Sequence, residues 1–275
     1  MVTFNFLSKK MNERGGSFVA VRRISQGEES SPYNNSRPSS GGGILSSGTW
    51  IPRGLSCVCT QGETSNRFDL TTSQVECLRK LQRRISVVYD SSITEHQEAL
   101  RSLWRAAFPE RDLSGLVSEQ WKEMGWQGRD PSTDFRGGGF VSLENLLFLA
   151  TNFPKCFRDL LEKRIGERST WEYPFAVAGV NITFMLVQML HLRSEKPPSY
   201  LTSLFLKMLA VNDKAFDILY CITFKVMDTQ WLRMGASYMD FNIVVKSIRH
   251  QLEIELVREK TCCIYNLPSY SLLTQ

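Results

Sequence analysis

PFAVAGVNITFMLVQMLHL, running from Pro174 to Leu192, is the most apolar stretch of the chain, and its reading decides the fold class. It is just long enough to raise the question of a membrane span, which needs about 20 consecutive apolar residues. Asn181, Thr183, Gln188 and His191 interrupt it, and Pro174 suits a first helical turn. Inside a helical bundle those amides are expected to hydrogen-bond to neighbouring helices, because an unpaired buried amide costs roughly 1–3 kcal/mol. The stretch therefore reads as the buried central helix of a soluble bundle.

Helical periodicity continues in both directions. Val75, Leu78, Leu81, Ile85 and Val88 recur at three- and four-residue spacing from Thr72 onward, with Arg79, Lys80, Arg83 and Arg84 on the other, solvated side. Ser92 and Glu95 have the spacing of a capping box ahead of Leu100, Leu103, Trp104 and Phe108, and Pro109 stops that helix. Leu113, Leu116, Val117, Gln120 and Trp121 form a short amphipathic pattern. Ser142 reads as the cap of a helix whose Leu143, Leu146, Leu147 and Ala150 face the core. Further helices are expected at Lys155–Arg164, Pro198–Leu209, Asp213–Arg233 and Tyr238–Lys260. With no period-two strands and no internal repeat, the chain is read as all-α, a single multi-helix bundle-like domain over 67–260. A C-terminal tail is expected over 261–275.

Residues 1–66 are dominated by Ser, Gly, Asn, Pro and Arg, and such a composition buries too little apolar area to offset chain entropy. A disordered N-terminal tail is the expectation. Residues 1–69 carry eight Lys or Arg against five Asp or Glu, so the remainder is close to neutral, which argues against nucleic acid as a partner. The first thirty residues contain no apolar segment with a cleavage site, and the seven cysteines are an odd set. A reduced, cytoplasmic setting follows, with peripheral membrane contact through the basic tail and the Arg79–Arg84 face as an open expectation. Cys156 and Cys221 read as plain core residues.

Between two apolar helical patterns lies WKEMGWQGRDPSTDFRGGG, Trp121 to Gly139, with five glycines and two tryptophans. Helix connections usually run roughly two to eight residues. A longer loop on a rigid scaffold tends to carry function, and its glycines let a partner approach the main chain. Arg136 closes the loop ahead of three glycines. Two readings stand side by side: Asp130 or Asp134 pairs with Arg136 and closes the loop, or Arg136 reaches out into a partner's active site.

The run Trp121, Gly125, Trp126, Gln127, Gly128, Asp130, Pro131, Thr133, Asp134, Arg136, Gly137, followed by Leu143, Asn145 and Leu146, resembles the signature of the engulfment-and-cell-motility (ELMO) domain family. WEYPFAVAGVNITFML and AFDILYCITFKVMDTQW look like its plant members, and the similarity spans roughly Glu95 to Glu259. The resemblance implies a GTPase-activating protein for Arf and Arf-like small GTPases, with Arg136 as the arginine finger. It departs at Trp126 and Gly138, where the family members with the clearest activating activity commonly carry Phe and a larger residue respectively. Other branches act as adaptors for guanine-nucleotide exchange factors, which is the alternative expectation. Trp121, Gly125, Trp126, Gln127, Gly128, Asp130, Pro131, Thr133, Asp134, Gly137 and Asn145 are then expected to shape the loop or meet the partner, with Asp134 holding Arg136 before engagement.

No GxxxxGK[ST] phosphate loop and no HExxH are present. GTP and Mg²⁺ are expected to belong to the partner GTPase, and the chain is expected to need no cofactor of its own. His96, His191 and His250 are not spaced for one metal, and Cys57-x-Cys59 lacks a second pair.

Overall fold

The computed structural model describes residues 70–162, 173–258 and 263–274. The expected N-terminal tail, Cys57, Cys59 and Cys262 lie outside them. Among the described residues every regular element is helical: α1 (Thr72–Ser86), α2 (Thr94–Ala107), α3 (Phe140–Asn152), α4 (Pro154–Leu161), α5 (Phe175–Met189), α6 (Tyr200–Val211), α7 (Ala215–Met234) and α8 (Phe241–Leu256), joined by 3₁₀ turns.

The centre is shared by α5 and α7. Every residue from Phe175 to Val180 and from Ala215 to Phe224 is buried, so each helix is enclosed on nearly all sides, as a helix apolar all round must be. Gly179 permits the close crossing: a Cβ there would lie 2.7 Å from the Tyr220 hydroxyl and 2.8 Å from Leu146. α3 packs against α2, α5 and α7, while α8 packs on α7 and α5, and α1 packs on α6. No helix among the described residues is long and apolar enough to cross a membrane.

Two polar expectations for α5 are corrected. Asn181 donates to Val177 O one turn back on its own helix at 2.8 Å, and Gln188 is exposed. Their amides sit on the one stripe of α5 that the bundle leaves open, so neither needs a partner helix. Pro174 is the N-cap and precedes the first turn. The polar link to a neighbouring helix comes instead from Thr183, whose hydroxyl accepts from Asn145 Nδ2 of α3 at 3.0 Å in the buried interior.

Helix ends show where local signals compete. Thr71 and Gln74 form a reciprocal capping box at α1. The expected box at Ser92 and Glu95 does not form: Ser92 donates its N–H and hydroxyl to Asp90, and Ile93 is the N-cap of α2. A tight turn captured the serine first. Ser142 is not a cap either; it is buried within α3, which starts at Phe140 after Gly139. The pattern Leu113–Trp121 yields a 3₁₀ turn over Glu119–Met124, with Val117 half exposed. Val88 lies beyond α1 and is 74% exposed.

Cys156 and Cys221 are buried, as expected. Burial pushes the Cys156 thiol up to about 11 and that of Cys221 well above its ordinary value, so both stay protonated and inert. The segment read as a C-terminal tail is packed where it is described. Ile264, Leu267 and Leu273 enter the core, and the buried Glu255 carboxylate accepts from Ser269 N (3.1 Å) and Ser269 Oγ (2.6 Å).

Candidate functional site

The segment Trp121–Gly139 is not a surface excursion. It consists of two 3₁₀ turns, Glu119–Met124 and Pro131–Arg136, hung from the core by aromatic side chains. Trp121, Trp126 and Phe135 are buried and form an edge-to-face series: Trp104 to Trp121 at 5.4 Å, Trp121 to Trp126 at 6.4 Å, Trp126 to Phe135 at 5.1 Å. Phe135 also stacks on Tyr89 at 4.7 Å, and the Trp121 indole donates to Leu116 O.

Backbone and polar contacts close the rest. Ser118 N donates to Arg129 O at 2.8 Å and ties the base of the loop. Asp130 caps the second turn through Ser132 N (3.0 Å), Thr133 Oγ1 donates to Asp130 O, and Pro131 occupies the turn's first position. The buried Asp134 accepts from Gln127 N at 3.0 Å. Asp134 thus braces the opposite arm of the loop. The expectation that it holds Arg136 is corrected: Arg136 is exposed and enters no ion pair or side-chain hydrogen bond seen among the described residues.

Glycines are demanded where backbones touch. Gly125 has φ +87°, and a Cβ there would lie 2.5 Å from Phe175 N and 2.8 Å from Pro174 C. Its carbonyl accepts from Val177 N, which docks the loop on the start of α5. Gly125→Ala is expected to cost about 3 kcal/mol, combining left-handed strain with a clash against backbone that cannot rotate away. Urea unfolding of the purified chain measures it, and a loss under about 1 kcal/mol would mean that the loop shifts freely off α5. Gly139, at φ +70°, would place a Cβ 2.8 Å from Val87 O.

The two departures from the family pattern have local accounts. A Cβ at Gly138 would stand 1.9 Å from Ser142 Oγ and 3.1 Å from Val180, so a larger residue there requires a different residue or rotamer at position 142. Trp126 Nε1 is buried without a hydrogen-bond partner among the described residues, a donor that Phe would not carry.

The expected site residues therefore divide. Trp121, Trp126, Pro131, Asp134 and Asn145 are buried, which fits the loop-shaping half of their expected role, and Asn145 is fully enclosed. Gln127, Gly128, Asp130, Thr133, Arg136 and Gly137 retain accessible surface around one another.

Three supporting groups carry no signal in the sequence. Arg84, expected on a solvated face, forms a fork with Asp217 (Nη1 to Oδ2 3.0 Å, Nη2 to Oδ1 2.6 Å) and donates Nε to Glu144 at 2.8 Å. Burial pulls the guanidinium pKa down, but the two carboxylates outweigh it and leave the pKa raised. The triad ties α1 to α3 and α7 one turn before Val87 O, which accepts from Phe140 N at the loop exit. His96 stacks on Phe140 at 3.8 Å, while its Nδ1 accepts from Asp90 N. Arg193 Nη1 donates to Gly137 O at 3.4 Å. A cavity of about 600 Å³ opens elsewhere, between Cys77, Lys80, Arg84, Phe148 and Lys214, and no loop residue lines it.

The sequence profile of the ELMO/CED-12 family matches residues 79–245, a span that contains the whole loop and its seat on α5. The chain is 33% identical over 192 residues to ELMO domain-containing protein C of Dictyostelium discoideum, covering 66% of this chain and 30% of that protein. It is 28% identical over 203 residues to mouse ELMO domain-containing protein 2, covering 71% of this chain and 67% of that protein. Over 137 residues it is 35% identical to human ELMO domain-containing protein 1, covering 41% and 40%. Matches to the Dictyostelium proteins C, A and B span 30%, 20% and 58% of their lengths, so the chain accounts for less than two thirds of each.

Proposed function

The chain belongs to the ELMO/CED-12 family, and from that membership we propose that it is a GTPase-activating protein for an Arf-type small GTPase, with Arg136 as the arginine supplied in trans. Family membership supports a role in small-GTPase signalling; the activating role and the arginine are the finer reading. The observation that carries it is the state of Arg136. Its neighbours are anchored, with Phe135 buried on one side and Gly138 and Gly139 enclosed on the other, while its own side chain is exposed and makes no ion pair among the described residues.

The chemistry asks for that arrangement. In GTP hydrolysis negative charge spreads over the γ-phosphate oxygens and the bridge to the β-phosphate. The GTPase brings its phosphate loop, Mg²⁺ and the glutamine that orients water. A planar guanidinium inserted from outside neutralises the developing charge and contributes about 10³–10⁵ in rate. An arginine already paired would first have to break its pair. Among the described residues Arg136 has no such pair to break, and the low entropy of the anchored loop reduces what binding must supply.

A panel of purified, GTP-loaded Arf-family GTPases, assayed for single-turnover hydrolysis with and without the full chain, tests the proposal. At least one member is expected to hydrolyse GTP on the order of 10³ times faster. Binding of the GTP-loaded forms with no acceleration of any would replace the proposal with the adaptor role.

A further inference from the structure

Arg193 lies exposed in the turn that follows α5, four residues past Met189 and far from the loop in sequence, and that turn is built. His191 takes the left-handed conformation at φ +49°, which costs an L residue other than glycine roughly 1–2 kcal/mol. That turn lets Leu192 N donate to Val187 O at 3.0 Å and drives the Leu192 side chain fully into the core. With Leu192 plugged, Arg193 emerges beside Gly137 and donates to its carbonyl. Arg193 takes part in no ion pair among the described residues, so this backbone contact is its one directed interaction there.

Gly137 lies inside the turn that Gly139 N closes on Phe135 O at 2.7 Å, and its own carbonyl accepts from Arg193. Upstream, Phe135 is stacked in the core; downstream, Gly139 abuts Val87 O, and Phe140 N is bonded to the same carbonyl. Between these fixed points Arg136 is followed by glycines, whose backbone has the widest freedom. Gly137 is exposed, and the Phe184 ring lies 3.6 Å from its ideal Cβ position.

We infer that Arg193 is a positioning residue for Arg136: it holds the Gly137 carbonyl, and so restrains the Gly137–Gly138 peptide immediately beyond the one that follows the Arg136 Cα. The inference deepens the reading of Arg136 as the arginine supplied in trans and rests on it for its functional consequence, though the pinning itself does not. A carbonyl needs only one donor, so a lysine at position 193 can serve; Arg136 faces spread phosphate charge and needs the planar fork.

The test uses the full chain with Arg193→Ala and Arg193→Lys. Hydrogen exchange of the 136–138 amides in the free protein is expected to quicken about fivefold or more in Arg193→Ala and to stay near the parent in Arg193→Lys. With a GTP-loaded Arf-family GTPase that responds to the parent chain, the saturating hydrolysis rate is expected to fall about tenfold in Arg193→Ala, with half-saturation changed less than about twofold, and to recover in Arg193→Lys. Unchanged exchange in Arg193→Ala overturns the inference. So does a raised half-saturation with an intact saturating rate, which would make Arg193 a plain binding contact. If Arg136→Ala itself leaves hydrolysis untouched, the proposed function fails, and the exchange measurement alone decides the pinning.

Discussion

Arg136→Lys is expected to remove nearly all stimulated GTP hydrolysis, a loss of about 10³-fold at saturation, while leaving the fold and GTPase binding in place. The side chain is exposed and makes no ion pair among the described residues, so its replacement should change stability by no more than about 0.5 kcal/mol. The lysine keeps the charge and loses the fork, which separates shape-matched phosphate recognition from plain electrostatic attraction. Three measurements on one preparation decide: single-turnover hydrolysis, binding of the GTP-loaded GTPase, and thermal unfolding. Stimulation equal to the parent protein would remove Arg136 from the chemistry. A joint fall in stability and binding would instead make it a structural residue, contrary to its exposed position.

Arg84→Met is expected to cost about 4 kcal/mol of stability and lower the unfolding midpoint by about 10 °C. Asp217 is 2% exposed and has its carboxylate in the first turn of α7, where Arg84 supplies both arms of the fork. Removing the guanidinium strands that charge in the interior and leaves Glu144 without its partner as well. The second arm of the experiment is Arg84→Met combined with Asp217→Leu. Because the single change is costly mainly through the orphaned charge, the double variant should regain most of the loss. Urea unfolding of the parent, each single variant and the double variant gives the coupling. A loss below about 1 kcal/mol for Arg84→Met would class the triad with exposed surface pairs.

Much of the fold was legible, and the misses share a cause. Helix existence follows from three- and four-residue apolar spacing, which is local, and α1, α5, α7 and α8 lie close to where the spacing puts them. Caps and polar partners were read less well, because Ser, Asn and Gln can be satisfied in several ways within a few residues. Ser92 is taken by Asp90, Asn181 by its own helix, and Ser142 is buried beneath Gly138. Arg84 reads as one of four basic residues on a solvated face until the fold brings α7, more than a hundred residues later, against it.

By itself, the sequence determined the all-helical architecture, the apolar identity of the central helix and the place of Arg136 within a glycine-rich run, since periodicity, hydrophobicity and glycine content are properties of neighbouring residues. Only the tertiary structure decided which residues of that run face inward. Trp121, Trp126 and Asp134 became anchors rather than contacts, because burial depends on what the rest of the chain packs above them. It also decided that no carboxylate among the described residues holds Arg136. Asp134 lies two positions away in sequence but is turned inward to Gln127 N by the 3₁₀ geometry between them, and the Arg136 guanidinium is left exposed.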